Sequence, residues 1–105
     1  MESTMTAEQF EAHVGEMTMY DMDVEYCVTA INEEAGEIAG WHKKHNLRKN
    51  PTGQLTTLDL KGELGDVLFY IAAMSRIYGW TLSDIMIHNR EKLLERRAKG
   101  MRSIA

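Results

Sequence analysis

Residues 63–70 read Glu-Leu-Gly-Asp-Val-Leu-Phe-Tyr, and their acids lie within a helical pattern of apolar side chains. At roughly 100° per residue, Val67 and Ile71 fall within about 80° of Glu63 on a helical wheel. Glu63 and Asp66 therefore border the apolar stripe, whereas the acids of a merely solvated face would lie opposite it. The stretch predicts a long helix whose two carboxylates lie at the edge of its apolar, core-facing side.

A second acidic motif, Glu-Glu-Ala-Gly-Glu, occupies residues 33–37, and 25 residues separate it from Glu63. It also lies in a segment with helical apolar spacing, and Glu34 borders the apolar stripe. Two antiparallel helices with such motifs can bring the carboxylates of Glu34, Glu37, Glu63 and Asp66 together. Because burying unpaired carboxylates costs several kcal/mol each, the pattern predicts a shared cation site.

The residue types in the two motifs indicate which cation this site would hold. No His follows any of these acids by three residues, so the Glu-x-x-His pattern of di-iron bundles is missing. All-carboxylate ligation favours Mg²⁺, or alternatively Mn²⁺, over zinc or redox iron. Since Mg²⁺ usually keeps waters and accepts phosphate oxygens, such a site commonly handles a nucleotide.

Helix signals occur along most of the chain. Thr6 is a predicted N-cap, and residues 81–84 resemble a capping box with Asp84 in the last position. Asn-Pro-Thr-Gly at residues 50–53 predicts a loop. No segment shows sustained period-2 alternation, so the predicted fold class is all-α. The predicted helices cover about residues 6–17, 23–46, 54–78 and 81–99.

The bulk composition describes one small globular domain of 105 residues, 44% of them hydrophobic, with room for one modest core. No apolar run approaches the roughly 18 residues of a transmembrane helix, and residues 1–15 lack the features of a secretory signal. Cys27 is alone, so no internal disulfide is possible, and it is a predicted core residue. We therefore expect a cytoplasmic protein with no membrane association.

The net charge of −4 is unevenly distributed along the chain. Residues 1–37 contain ten acidic side chains and no Lys or Arg, whereas residues 38–105 contain six acids and all twelve bases. This asymmetry weakly favours an ion or phosphate site. Lys92 and Arg96 share a helix face that suits phosphate binding. Most other basic residues fit a solvated face or a nucleic-acid patch better.

Three blocks of the chain together resemble the MazG-like all-α nucleoside triphosphate pyrophosphohydrolases. The blocks are the two acidic motifs, the second with its Val-Leu-Phe-Tyr extension, and Asn89-x-x-Lys92 followed by Arg96-Arg97. The resemblance implies Mg²⁺-dependent cleavage of nucleoside triphosphates between the α and β phosphates. It also implies a helical bundle assembled as a homodimer or homotetramer. The implied division is an N-terminal segment with a short helix (1–22), a catalytic domain (23–100) and a tail (101–105).

The resemblance also implies a role for each acid. Carried over by position, Glu34, Glu37, Glu63 and Asp66 would ligate the metal. Glu33 would support a second metal or orient the attacking water. All five are therefore candidate catalytic residues.

Substrate contacts are expected from the third block and from one aromatic residue. Asn89 and Lys92 would contact substrate, and Arg96 would reach a phosphate. Trp41 is a further substrate-binding candidate, since it could stack on a base, although core packing is the default expectation for both Trp41 and Trp80.

Several alternatives stay open at this point. A related hydrolase specific for deoxynucleotides or phosphoribosyl-ATP fits the same motifs, and so does a non-catalytic nucleotide or metal sensor. A helical module that binds a partner through its basic C-terminal helix is a third reading, although nucleic acid is an unlikely partner. Glycines interleaved with the acids, such as Gly36 and Gly65, indicate close approach either of a ligand or of another helix.

Overall fold

The computed structural model describes residues 4–18, 21–50, 53 and 55–100. Four α-helices form most of it: α1 (Ala7–Met17), α2 (Val24–His42), α3 (Thr57–Ile77) and α4 (Leu82–Ala98). A π-helical segment, Lys43–Leu47, continues α2. Within the described ranges there is no β-strand, so the predicted all-α class is confirmed.

Reciprocal polar contacts begin two of the helices where the sequence predicted. The Thr6 hydroxyl accepts a hydrogen bond from the Gln9 N–H, and the Gln9 side chain accepts one from the Thr6 N–H. Thr81 and Asp84 form the same capping box at the start of α4. Each box satisfies two N–H groups that the first turn of a helix leaves without partners.

The connection between α2 and α3 departs from the prediction in one respect. The predicted helix to about residue 46 is α-helical only to His42, after which the π-helical segment follows. Asn50 has a φ of 42°, and its side chain bonds both the N–H and the carbonyl of Leu55. Residue 54, where the next helix was expected to begin, and residues 51 and 52 of the predicted loop lie outside the described residues.

α2 and α3 form an antiparallel hairpin. Three pairs of facing residues establish the direction: Tyr26 with Tyr70, Glu34 with Asp66, and Trp41 with Thr56. Residue numbers rise along α2 while their partners' numbers fall along α3. The two acidic motifs consequently lie at the same level, near the middle of the hairpin.

The hydrophobic core lies where the start of α2 meets the second half of α3. Its buried members come from all four helices: Val14, Cys27, Ala72, Ala73 and Leu82. Cys27 is fully buried, as predicted, and burial, with the nearby charge of Asp23, raises the pKa of its thiol. Because Val14 belongs to α1, the short N-terminal helix packs into the same core as the rest of the chain.

Two polar contacts fix α1 against α3 and α4. The Glu11 carboxylate accepts a hydrogen bond from the Leu82 N–H in the first turn of α4. The Arg76 guanidinium donates to the Glu11 carbonyl at 3.5 Å and lies directly over Gly15. The first turn of α4 therefore gains a carboxylate partner for one of its N–H groups.

Trp80 is not part of the core, and the expectation that it would be buried is wrong for this chain. Its side chain is 51% exposed. Gly79, with a φ of 76°, makes the turn that ends α3. Beyond that turn Trp80 stacks on Tyr78, with the ring centroids 5.1 Å apart, instead of packing among the buried side chains.

The chain exposes more surface than its mass requires. Its accessible area is 8332 Å², whereas a compact monomer of this mass exposes about 6,000 Å². Large apolar side chains contribute to this area, among them Leu64 and Leu68 on α3 and Met86 and Leu94 on α4. None of the described helices combines the length and the apolar character that crossing a membrane requires.

Candidate metal and substrate site

The two acidic motifs meet in the middle of the hairpin. Glu34, Glu63 and Asp66 each offer one carboxylate oxygen, and these three oxygens lie within 4.8 Å of one another. We refer to these residues as the acid triad. Glu34 and Glu63 are partly buried and Asp66 is exposed. Three carboxylate oxygens so close together form a ligand set suited to a hard divalent cation.

The electrostatics of the acid triad also favour a bound cation. Burial raises the pKa of the Glu34 carboxyl, and the negative charges of Asp66, Glu33, Glu63 and Glu37 raise it further. Without a counter-charge, Glu34 is therefore harder to ionise than an ordinary glutamate. A bound cation would relieve this repulsion, so the residues fit the metal that the sequence predicts.

Glu33 and Glu37 complete the acidic surroundings of the triad. Both are exposed, and both act on Glu34 through their charges. Glu37 follows Glu34 by about one helical turn, which keeps the two carboxylates on neighbouring parts of the same face. Its role as a fourth metal ligand, and the role of Glu33 towards water or a second metal, stay predictions.

An open cleft lies beside the acid triad. It has a volume of about 470 Å³, and Tyr26, Thr29, Glu33 and Tyr70 are among the residues in its wall. The rings of Tyr26 and Tyr70 lie 6.2 Å apart at 47°. We call this space the tyrosine cleft. Because Glu33 precedes Glu34 directly and Tyr70 follows Asp66 by four residues, the cleft and the acid triad adjoin.

Trp41 contacts the chain itself at the far end of the hairpin. Its indole N–H donates to the Thr56 carbonyl at 3.0 Å, and its ring stacks on His45 with centroids 4.4 Å apart at 13°. Asn46 bonds to the side chains of both His45 and His42. Trp41 thus fastens the start of α3 to the end of α2, and its predicted contact with a substrate base stays a prediction.

The predicted substrate residues Asn89, Lys92 and Arg96 all lie on α4. α4 packs against α1 and α3, and among the described residues it makes no backbone-level contact with α2. Asn89 and Lys92 are exposed, whereas Arg96 is partly buried. Their predicted contacts with substrate stay predictions.

Glycines beside the acids leave space that the described part of the chain does not fill. A Cβ added at Gly36, Gly40, Gly62 or Gly65 would meet no atom within 4 Å. Close packing between helices of the same chain therefore does not account for them. The open space is available to a ligand or to a second chain.

Comparison with known proteins identifies the family. The profile of the MazG nucleotide pyrophosphohydrolase domain matches residues 23–101, about three quarters of the chain. The chain belongs to the MazG nucleotide pyrophosphohydrolase family. "Gene 37 protein" of Mycobacterium phage L5 is 34% identical over 79 residues, which are 72% of this chain and 68% of that protein. No solved structure matches the chain significantly.

The MazG match confirms the resemblance that the three sequence blocks indicated. It begins at Asp23, whose carboxylate caps α2 by accepting from the Tyr26 N–H, and it includes α2, α3 and α4. The acid triad and the tyrosine cleft therefore lie inside a domain of a kind that acts on nucleotides. α1 lies outside the matched residues, although it packs into the same core.

Sequence reasoning missed the tyrosine cleft. Tyr70 ends the second motif and lies between Glu63 and Asp66 on the helical wheel, but neither Tyr70 nor Tyr26 was predicted to contribute to the site. One signal was available, because Tyr26 precedes Glu33 by seven residues and Ala30 lies between them at helical spacing, so all three share a face of α2. That face could have been followed from the acidic motif back to the start of the helix.

Proposed function

We propose that this protein is a Mg²⁺-dependent nucleoside triphosphate pyrophosphohydrolase. It would cleave between the α and β phosphates and release a nucleoside monophosphate and pyrophosphate. The observation that carries the proposal is the convergence of Glu34, Glu63 and Asp66 within 4.8 Å inside a MazG domain. Three carboxylates at one point suit a cation that in turn binds phosphate oxygens.

The acid triad would hold the metal, with Glu37 as a further ligand from the same face of α2. When bound, Mg²⁺ would neutralise phosphate oxygens and lower the pKa of a bound water. Glu33 is exposed next to Glu34, where its carboxylate would orient the attacking water and accept its proton. In this proposal the acid triad and Glu37 bind the metal, and Glu33 handles the proton.

A second copy of the chain would complete the site. Asn89, Lys92 and Arg96 lie on α4, whose backbone does not approach that of α2 among the described residues, and we propose that they contact the substrate from the partner. The large exposed surface supports this arrangement, because a helical bundle of two or four copies would cover the outer apolar faces of α3 and α4. Light scattering tests it, since a monomer at micromolar concentration would contradict it.

The remaining finer assignments follow from this function. We propose residues 23–100 as the catalytic domain, in agreement with the extent of the matched profile. Mn²⁺ would substitute for Mg²⁺ because the same carboxylate ligands suit both ions. A cytoplasmic location would place the enzyme beside its nucleotide substrates and keep Cys27 reduced.

The decisive experiment is an assay of pyrophosphate release from a panel of ribo- and deoxynucleoside triphosphates, with Mg²⁺ and with EDTA. We expect metal-dependent release with the nucleoside monophosphate as co-product, and loss of release in Glu63→Gln. Deoxynucleotide-only release would narrow the function to a deoxynucleotide hydrolase. Metal and nucleotide binding with no release from any nucleotide, including phosphoribosyl-ATP, would overturn the enzyme assignment in favour of a sensor.

A further inference from the structure

The tyrosine cleft has the size and the wall of a small-molecule site. Its volume of about 470 Å³ falls within the roughly 300–1,000 Å³ of ligand pockets. The rings of Tyr26 and Tyr70 are 6.2 Å apart, and both line the cleft together with the small side chain of Ala30. Flat aromatic rings beside open space can stack on a planar ring such as a nucleobase.

The cleft adjoins the acid triad. Glu33 lies in its wall and is the neighbour of Glu34 in the chain. Burial raises the pKa of the Tyr70 hydroxyl, and the effects of Tyr26, Glu34 and Asp66 raise it further. Tyr70 therefore lies close to two members of the triad, so one ligand can reach both places.

The charges in the cleft determine which end of a nucleotide it can take. Asp21, Asp23, Glu25 and Glu33 all lie in its wall, and no basic side chain does so among the described residues. A phosphate chain would be repelled there, so the phosphates belong with the cation at the acid triad. The uncharged nucleoside is the part of the substrate that this surface tolerates.

A carboxylate that faces C4 of a pyrimidine base discriminates between cytosine and uracil. An ionised carboxylate only accepts hydrogen bonds, so it favours the exocyclic amino group of cytosine, as acidic side chains do when they read that base. At the same position uracil presents an oxygen, which also only accepts. Asp23 is already engaged in capping α2 through the Tyr26 N–H, and Glu33 adjoins the acid triad. Glu25 is exposed and directly precedes Tyr26 in α2, so it is better placed than Asp21 to read a base that lies against that ring.

We propose that the tyrosine cleft binds the nucleoside of the substrate, with Tyr26 and Tyr70 against the base and Glu25 selecting bases that carry an amino group. The inference rests on the proposed function, because it assumes that the phosphates lie at the acid triad. Cytosine nucleotides are preferred to uracil nucleotides, and the preference depends on the start of α2.

The test compares CTP with UTP, whose bases differ at C4, which carries an amino group in cytosine and an oxygen in uracil, and at N3, which carries a hydrogen only in uracil. We expect kcat/KM to be at least about 10-fold higher for CTP, as one discriminating base contact provides. Glu25→Gln should lower kcat/KM for CTP more than for UTP, since an amide can also donate. Tyr26→Ala should lower both. The matched control is Glu8→Gln, an exposed acid of α1, which should leave the CTP to UTP ratio unchanged.

Two results would overturn the inference and leave the proposed function intact. One is equal hydrolysis of CTP and UTP by the unaltered protein. The other is a preference that Glu25→Gln and Tyr26→Ala both leave unchanged while circular dichroism shows that they are folded. If no triphosphate is hydrolysed, an NMR titration of the protein with CMP and with UMP tests separately whether the cleft binds a nucleoside. CMP binding that Glu25→Gln weakens supports it, and no binding of either nucleotide refutes it.

Discussion

At the packed end of the α2–α3 hairpin, Cys27 and Ala72 are fully buried against α1 and α4. In the middle of the same hairpin, Glu37 and Asp66 are exposed, and Glu34 is only partly buried. One end is stabilised by apolar contacts from all four helices. The middle of the hairpin holds carboxylates that repel one another, next to glycines with open space around them.

This difference indicates a division between stability and function within two helices. Repulsion among acids and helix-interior glycines both lower the stability of a folded chain. Such features persist where function needs them and where the rest of the molecule supplies enough stability. Substitutions in the two regions should therefore separate cleanly, because those at the packed end change folding and those in the middle change activity.

The largest expected effect is on activity, from Asp66→Asn. The amide keeps the shape of the side chain but removes the charge that a divalent cation requires. Since even changes around metal ligands cost about 10–100-fold, we expect pyrophosphate release to fall by at least that factor. The free energy of unfolding without metal should stay the same or rise, because one repelling charge near Glu34 is removed.

Glu16→Gln serves as the matched control for this substitution. Glu16 is an exposed acid on α1, away from the hairpin, so its loss should leave both turnover and stability unchanged. Near-normal turnover in Asp66→Asn, with normal retention of Mg²⁺ in a calorimetric titration, would show that the acid triad is not the metal site.

The packed end and the middle of the hairpin also differ in how much of their structure could be predicted from the sequence. Helix caps depend on a few neighbouring residues, so Thr6 and Thr81 could be identified from spacing alone. The burial of Cys27 followed from the apolar stripe of α2. Trp80 was expected in the core and is exposed, because the turn at Gly79 determines its direction and that turn was read only as a helix end.

The candidate site was predictable to the extent that helical periodicity reports on facing residues. The convergence of Glu34 with Glu63 and Asp66 follows from two helices paired antiparallel. The tyrosine cleft depends on how two side chains from different helices pack, and the π-helical segment depends on local backbone bonding. Neither the cleft nor the π-helical segment has a spacing signature in the sequence.

The next largest effect should come from the packed end, with Val14→Ala. Val14 is fully buried in the core, and removing its two methyl groups should lower the free energy of unfolding by about 2 kcal/mol. Turnover per folded molecule should not change, because Val14 lies apart from the acid triad. Urea denaturation at a fixed protein concentration measures the first quantity.

Val28→Ala is the appropriate comparison, since Val28 lies on α2 but is 51% exposed. It should change the unfolding free energy of a single chain very little. A loss as large as that of Val14→Ala would show that another copy of the chain covers Val28. Contacts between copies of the chain would then stabilise the packed end of the hairpin together with the core.

A smaller effect, of opposite sign, is expected from Gly65→Ala in the middle of the hairpin. Alanine is favoured over glycine in a helix interior by about 1 kcal/mol, and a Cβ at position 65 has nothing to clash with among the described residues. Stability should therefore rise. If substrate uses the space, KM for the triphosphate should rise as well.

Gly79→Ala is the comparison, and it should destabilise the chain because Gly79 has a φ of 76°. If Gly65→Ala were also destabilised, a second chain would have to pack against position 65.

The smallest effect should be a dependence of stability on pH that Mg²⁺ removes. In the metal-free protein the pKa of Glu34 is raised above its ordinary value of 4.5, chiefly by burial and by Asp66. Between that value and the raised pKa, the folded chain binds more protons than the unfolded chain, so the contribution of Glu34 to the unfolding free energy falls as pH rises. Metal affinity should increase over the same pH interval, because the cation needs the ionised carboxylate. Urea denaturation at several pH values within this interval, with and without saturating Mg²⁺, measures the pH dependence of the unfolding free energy and the effect of the metal on it. Glu34→Gln should remove this part of the pH dependence from the metal-free protein, and an unchanged slope in that variant would assign the repulsion to other carboxylates of the site.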